Sequence, residues 1–266
     1  MTEITLRPSD RISAAIRNAA ARGEPAVVAY LTAGFPTRER FAEHVRSVAR
    51  GADVIEIGVP FTDPMADGVT IQRSSHIALS QGVTLRWILE KLAQMPAVAA
   101  PLLLMSYLNP LLAYGLAGLA QAALRARVSG FIVPDLPYDE SSPVREALAQ
   151  QGLALVQMVT PVTTPERLRR VCAASEGFVY AVTMTGTTGR NVSGSGALAP
   201  EALQYLDRVR AQSRLPVCAG FGIRTREHVE ALRGHVDGVI VGSALVEVLE
   251  RGDDPGDWLK KLRGLS

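Results

Sequence analysis

Lysine is nearly missing from this sequence: Lys91, Lys260 and Lys261 are the only three, and the 28 basic residues are otherwise all arginine. Histidine and cysteine are scarce too. The two cysteines, Cys172 and Cys218, have no CxxC spacing, and His44, His76, His228 and His235 do not cluster, so no zinc pattern is present. Two reduced, buried thiols in a cytoplasmic protein are the expectation. Neither charge sign is in excess, with 28 basic against 26 acidic residues, which gives no electrostatic footprint for nucleic acid. No GxxxxGK[ST] occurs and no GxGxxG follows the first apolar run, so nucleotide cofactors are not indicated. Glu3, Arg7, Asp10 and Arg11 precede any apolar run, unlike a signal peptide. The most apolar stretch, Pro101 to Leu124, is broken by Ser106, Asn109, Pro110, Gly115, Gly118 and Gln121. Asn109-Pro110 reads as a turn, and a buried strand followed by a buried helix suits this stretch better than a membrane span.

What is present is a large apolar inventory. Hydrophobic residues make up 47% of 266 residues, enough for one large α/β barrel or two small domains. Short apolar runs recur: Ala26 to Leu31, Asp53 to Ile57, Leu102 to Ser106, Gly130 to Val133, Ala154 to Val159, Gly177 to Val182, Pro216 to Ala219 and Gly238 to Val241. None alternates apolar with polar, which marks strands buried on both faces and hence a parallel sheet. Helical patterns lie between them. Arg38 to Ala49 places Phe41, Val45 and Val48 on one face. Further helices open at Ser141-Ser142-Pro143, Thr164-Pro165-Glu166, Pro200-Glu201 and Thr225-Arg226-Glu227. Eight strands alternating with helices predict a (β/α)8 TIM barrel. An extra N-terminal helix, Asp10 to Arg22, is expected to plug its bottom. The rival, an open doubly wound sheet, would usually carry a Gly-rich turn where Thr32-Ala33-Gly34-Phe35-Pro36 stands. No low-complexity linker divides the chain, so residues 1–266 are read as a single domain.

In such a barrel the chemistry sits at the C-terminal ends of the strands. The second run is followed by a Pro- and Gly-punctuated loop, and Glu56 to Gly68 holds three carboxylates. Glu56 lies within the strand and can point into the barrel mouth. A carboxylate buried there is costly without a task or a partner. Asp67, at the far end of the loop, can fold back over the mouth, giving two carboxylates in different environments. An Asx-turn role for Asp63 and Asp67 fits the spacing equally well. Glycines after the seventh run (Gly220-Phe221-Gly222) and the eighth (Gly242-Ser243) allow backbone N–H groups to approach a phosphate, and Gly186 to Gly189 could add one more. The segment Thr185 to Gly196 after the sixth run reads as a long functional loop. A Schiff-base aldolase needs a lysine at the mouth and a metal aldolase needs grouped ligands there. The three lysines fall in helices, and the four histidines in helices or bottom-side turns as surface or packing residues. A catalytic barrel must then run on carboxylates.

The segment Glu56-Ile57-Gly58-Val59-Pro60-Phe61-Thr62-Asp63-Pro64-Met65-Ala66-Asp67-Gly68 closely resembles the signature loop of the tryptophan synthase alpha subunit family. Ala33-Gly34-Phe35-Pro36, Tyr107-Leu108-Asn109-Pro110, Pro134-Asp135-Leu136-Pro137, Gly186-Thr187-Thr188-Gly189, Gly220-Phe221-Gly222-Ile223 and Gly242-Ser243-Ala244 match in order, so the resemblance spans nearly the whole chain. It implies cleavage of indole-3-glycerol phosphate to indole and glyceraldehyde 3-phosphate. Glu56 is then the general acid–base group, and Asp67 the carboxylate that receives the indole N–H. Gly189, Phe221, Gly222, Gly242 and Ser243 are implied phosphate contacts. Tyr30, Tyr107, Tyr180 and Thr188 are implied for the substrate pocket and loop closure. Pro60, Asp63, Pro64, Asn109 and Asp135 are implied for the interface with a beta subunit in an alpha2beta2 complex. The chain itself is expected to carry no cofactor and no metal, with pyridoxal phosphate (PLP) belonging to the beta partner. Val69, Thr187 and Arg190-Asn191 depart from the family pattern in the second and sixth loops. The alternatives are a stand-alone lyase releasing free indole, a non-catalytic phosphate-binding regulatory barrel and a phosphosugar isomerase.

Overall fold

The computed structural model describes residues 6–183, 199–220 and 222–265. Eight strands run parallel and close into a barrel: β1 (Ala26–Thr32), β2 (Val54–Gly58), β3 (Leu102–Met105), β4 (Val128–Ile132), β5 (Ala154–Val159), β6 (Val179–Val182), β7 (Val217–Gly220) and β8 (Gly238–Val241), with β8 returning to pair with β1. Among the described residues the helices are α1 (Pro8–Ala21), α2 (Phe41–Val48), α3 (Val69–Ser80), α4 (Leu85–Gln94), α5 (Leu108–Tyr114), α6 (Leu116–Arg125), α7 (Ser142–Ala149), α8 (Pro165–Ala174), α9 (Pro200–Gln212), α10 (Arg226–Leu232), α11 (Ser243–Glu250) and α12 (Pro255–Arg263).

Closure explains the unbroken apolar runs. One face of every strand meets the barrel interior, where Val28, Val54, Leu103, Ile132, Val156, Phe178, Cys218 and Ile240 form one core. The other face meets the helices in a second, larger core that includes Val27, Ile55, Leu104, Phe131, Leu155 and Val239. A strand between two apolar layers has no polar face to show. The helical stripe Phe41, Val45 and Val48 is buried in that outer layer, and His44 is buried beside it as a packing residue.

Helix α1 closes the barrel floor as expected. It begins at Pro8, two residues before the anticipated Asp10, because proline is tolerated in a first helical turn. Ile12, Ile16 and Ala19 recur at helical spacing, are fully buried, and join the barrel's inner core. At the same end Arg263 of α12, only 8% exposed, is held by Asp53 at 2.9 Å and Glu24 at 3.3 Å. Asp53 also accepts the Val27 N–H at 2.8 Å, so the last helix is tied to the start of β1.

The structure corrects two local readings. Asn109-Pro110 is not a turn: both residues lie in the first turn of α5, and the chain breaks later, at Gly115, whose φ of +89° only glycine adopts readily. The apolar stretch is therefore a strand and two short helices; among the described residues no helix is long and apolar enough to cross a membrane. The fourth strand starts at Val128 and not Gly130, and the sixth at Val179 and not Gly177, which turns at φ +75°.

Truncating the floor tests this account. Ile16→Ala is expected to lower stability by about 2–5 kcal/mol, as a fall in the urea midpoint at unchanged m-value.

Candidate active site

Positions 54, 56 and 58 of β2 face the barrel interior in turn. Val54 belongs to the inner core, and Glu56 lies one step nearer the mouth, in register with Tyr30 of β1 and Leu103 of β3. Glu56 is 1% exposed, and its Oε2 has no hydrogen-bond partner among the described residues. An uncompensated carboxylate in an apolar barrel disfavours its charged form. Burial, and then the negative charge of Asp67, push the Glu56 carboxyl up to about 8.

The loop after β2 does fold back over the mouth. The Asp67 N–H donates to the Pro64 carbonyl at 3.1 Å, and Gln72 of α3 donates from Nε2 to the Asp67 carbonyl at 2.8 Å. The Asp67 carboxyl thereby enters the same cavity as Glu56, a space of about 490 Å³. Burial raises it to about 6, while the neighbouring Tyr107 hydroxyl favours the ionised form. The two environments push the carboxyls apart, so Glu56 keeps its proton to higher pH than Asp67 does.

Between the carboxyls and the far end, the cavity wall is largely apolar: Met105, Pro134, Met158 and Ile240, with the rings of Tyr30 and Tyr180. The two tyrosines are seated alike. Each has a glycine two residues beyond its cross-strand partner: Tyr30 pairs with Glu56 and meets Gly58, and Tyr180 pairs with Cys218 and meets Gly220. A Cβ on Gly58 would lie 2.5 Å from Tyr30 Cζ, and one on Gly220 would lie 2.8 Å from Tyr180 Cζ. Both glycines are therefore needed to let a ring lie across the mouth.

The far end is built from backbone. Gly222, Ile223, Gly242, Ser243 and Ala244 line the cavity, and α11 starts at Ser243. The Leu245 and Val246 N–H groups bond the Gly242 carbonyl, whereas those of Ser243 and Ala244 have no backbone acceptor among the described residues. Free amides at a helix N-terminus, opening into a cavity, form a seat for an anion. Arg224 also lines this end, but its guanidinium is held by both Glu247 oxygens at 2.6 and 2.9 Å.

Not every residue singled out from the sequence lines the cavity. Tyr30, Glu56, Asp67, Tyr180, Gly222, Gly242 and Ser243 do. Tyr107 is buried under the loop, its hydroxyl accepting the Ala66 N–H at 2.9 Å and its ring stacked on Phe61 with centroids 5.1 Å apart. Asp63 and Asn109 are exposed, Pro64 is partly so, and Pro60 is buried. Asp135 is partly buried, and its Oδ1 accepts the Leu108 N–H at 2.9 Å at the start of α5. Thr188, Gly189 and Phe221 lie outside the described residues, as do Thr187, Arg190 and Asn191. Met105, Met158, Ile240 and Arg224 were not anticipated. The first three follow from strand parity, since each falls on an inward position near the mouth.

Both carboxyls titrate higher in the folded protein than in an unfolded chain, so folding favours their protonated forms. That contribution is full below the unfolded value and fades as pH rises toward about 6 for Asp67 and about 8 for Glu56. Glu56→Gln, which never ionises, is therefore expected to be more stable than the wild type at pH 9, on the order of a few kcal/mol, with the gap closing toward pH 5. Urea unfolding at the two pH values measures it; a gap independent of pH would contradict a buried, unpaired carboxyl.

Comparison with known proteins agrees with this geometry. Residues 16–263 match the family model described as "Tryptophan synthase alpha chain". The chain is 43% identical over 254 residues to the tryptophan synthase alpha chain of Nitratidesulfovibrio vulgaris (strain DP4), covering 95% of this chain and 97% of that one. It is 42% identical over 243 residues to the alpha chain of Bacillus cereus (strain ATCC 14579), covering 91% of each. Among solved structures, Mycobacterium tuberculosis tryptophan synthase superposes with a TM-score of 0.86 at 33% identity, over 95% of this chain and 98% of that one. The Legionella pneumophila alpha chain superposes with a TM-score of 0.83 at 32% identity, over 96% of each.

Proposed function

The chain belongs to the tryptophan synthase alpha chain family, and we propose that Glu56 and Asp67 are the acid–base pair with which it acts. It is a lyase that cleaves indole-3-glycerol phosphate to indole and glyceraldehyde 3-phosphate. The observation that carries the assignment is that the Glu56 and Asp67 carboxyls face one largely apolar cavity that the N-terminus of α11 also lines.

In this reading the substrate phosphate sits on the Ser243 and Ala244 amides with Gly222 and Gly242 beside it, and the indole ring lies among Tyr30, Tyr180, Met105 and Met158. Glu56 donates its proton to indole C3. The positive charge that appears on the ring nitrogen is stabilised by Asp67, which accepts the indole N–H. The Glu56 carboxylate then takes the proton of the hydroxyl on the adjacent side-chain carbon. The C–C bond breaks, its electrons return to the ring, and that hydroxyl carbon leaves as the aldehyde of glyceraldehyde 3-phosphate. Glu56 ends protonated, as it began.

The proposed partner is a beta subunit, and an exposed apolar face supports it. Met65 (77%), Val69 (76%) and Leu112 (52%) are exposed large apolar side chains within a few residues of Asp63, Pro64 and Asn109. This face fits a beta subunit, which would supply the PLP chemistry, in an alpha2beta2 assembly. Nothing in the proposed steps calls on a cofactor in the alpha chain.

Indole release by the wild type is expected to follow a bell-shaped pH profile with its maximum near pH 7, between limbs set by groups near 6 and 8. Glu56→Gln is expected to lower kcat by roughly 10²–10⁴-fold. Full activity in that variant would overturn the acid–base assignment. Adding a beta subunit is expected to raise the rate, and Leu112→Glu to weaken that activation while sparing the activity of the isolated chain. An activation that Leu112→Glu leaves intact would move the interface elsewhere.

A further inference from the structure

We propose that Glu247 is a positioning residue for Arg224: it holds the guanidinium and so keeps the phosphate end of the cavity free of net side-chain charge, leaving the anion to backbone amides that release it after the reaction. This rests on the phosphate seat assigned above and extends it to a side chain that does not itself meet the substrate.

The geometry is that of an ion pair set beside the seat. Arg224 follows β7 and lines the cavity together with Gly222, Gly242, Ser243 and Ala244. Glu247 stands on α11, one turn beyond the Ser243 that opens the helix, about 6 Å along its axis. The guanidinium donates from Nη1 and Nη2 to the two Glu247 oxygens at 2.6 and 2.9 Å, a paired contact that fixes its plane as well as its position. The backbone of Arg224 is fixed too, since its N–H donates to His228 Nδ1 of α10 at 3.2 Å. Bonding to Arg224 also lowers the Glu247 carboxyl from its ordinary value, so both partners are ionised at neutral pH.

The same helix holds a second arginine. Arg73 of α3 is bonded by Glu250, three residues beyond Glu247 and so on the same face. Two carboxylates of α11 thus engage the arginines that reach it from the β7 loop and from α3. Among the described residues Arg224 is the only basic side chain that lines the cavity. With its guanidinium occupied, the Ser243 and Ala244 amides remain as donors for an anion.

The reaction gives this arrangement a purpose. Substrate and product carry the same phosphate, so tighter anion binding stabilises both alike. It does not lower the barrier, and it slows the departure of glyceraldehyde 3-phosphate. A free guanidinium would grip a phosphate through two charge-assisted bonds. Glu247 occupies the two nitrogens that would make them.

The test sets Glu247→Gln against Arg224→Ala, with glycerol 3-phosphate as the probe because it carries the phosphate end and is not turned over. Binding is followed by NMR at the Ser243 and Ala244 amides, which locates the anion. Glu247→Gln is expected to tighten binding roughly 10-fold by releasing the guanidinium, and Arg224→Ala to weaken it by a similar factor by leaving Glu247 uncompensated. Both effects are expected to shrink as salt is raised, since the pair is partly exposed. The double variant is expected to return close to the wild type. The KM for indole-3-glycerol phosphate is expected to move in the same opposed directions, with no rise in kcat for Glu247→Gln. A pair that only staples the β7 loop to α11 would weaken binding in both single variants. That result, or an unmoved affinity in Glu247→Gln, would overturn the inference while the amide shifts still upheld the seat. Glycerol 3-phosphate that leaves the Ser243 and Ala244 amides unperturbed in the wild type and in Glu247→Gln would overturn the seat, and the inference with it.

Discussion

An unpaired carboxyl group held inside a closed apolar barrel is the constraint on which the rest of this structure depends. Burying Glu56 without a partner is unfavourable, and a loose scaffold would relieve it by opening to water or turning the side chain outward. Neither route is available. The strand register fixes Glu56 on an inward position, and a shift of one residue would exchange the inward and outward side chains of the whole strand. The floor is sealed by Ile12, Ile16 and Ala19, and the C-terminal helix is bolted to the same end through Arg263, Asp53 and Glu24. Stability collected at the bottom of the barrel thus permits strain at the top.

The same register shapes the mouth. Tyr30 with Gly58 and Tyr180 with Gly220 are one device used twice, on the strand pairs β1–β2 and β6–β7. In each, a ring on one strand leans over its neighbour where the neighbour has no side chain. The Tyr30 hydroxyl is engaged with Thr32 at 3.2 Å, and Thr32 with Ser74 of α3 at 2.6 Å, so a polar group at this depth is satisfied without reaching the reacting atoms. The result is a largely apolar chamber in which the Glu56 Oε2 remains without a partner among the described residues.

Much of this was legible in the sequence. Apolar runs without alternation spelled a parallel barrel, and Glu56 stood out because a charged residue inside such a run needs a reason. The residues that were harder to read share a cause. Met105, Met158 and Ile240 look like ordinary core until the register shows them at the mouth, since parity along one strand says nothing about height relative to the next. Tyr107 and Asp135 were read for the pocket and the partner, respectively. The contacts they make in the fold, a hydroxyl under the Ala66 amide and a cap on α5, depend on loops from three different strands meeting, and no local pattern encodes that. Asn109-Pro110 was misread because a proline that ends a turn and one that begins a helix look the same until the following residues are seen to be helical.

The scarcity of lysine takes on a physical meaning at the site. A free cation near Glu56 would favour its carboxylate and depress the very pKa that keeps it protonated near neutral pH. The substrate, however, carries a phosphate that must be held at the other end of the same cavity. The fold meets both demands by using backbone amides and the dipole of α11 for the anion, which act over short range and bring no net charge. Arg224, the cation of the cavity wall among the described residues, is held by two bonds to Glu247, so it contributes bulk without a free positive charge. An ammonium group from a lysine in its place would strengthen phosphate binding and weaken the acid, trading the chemical step for ground-state affinity.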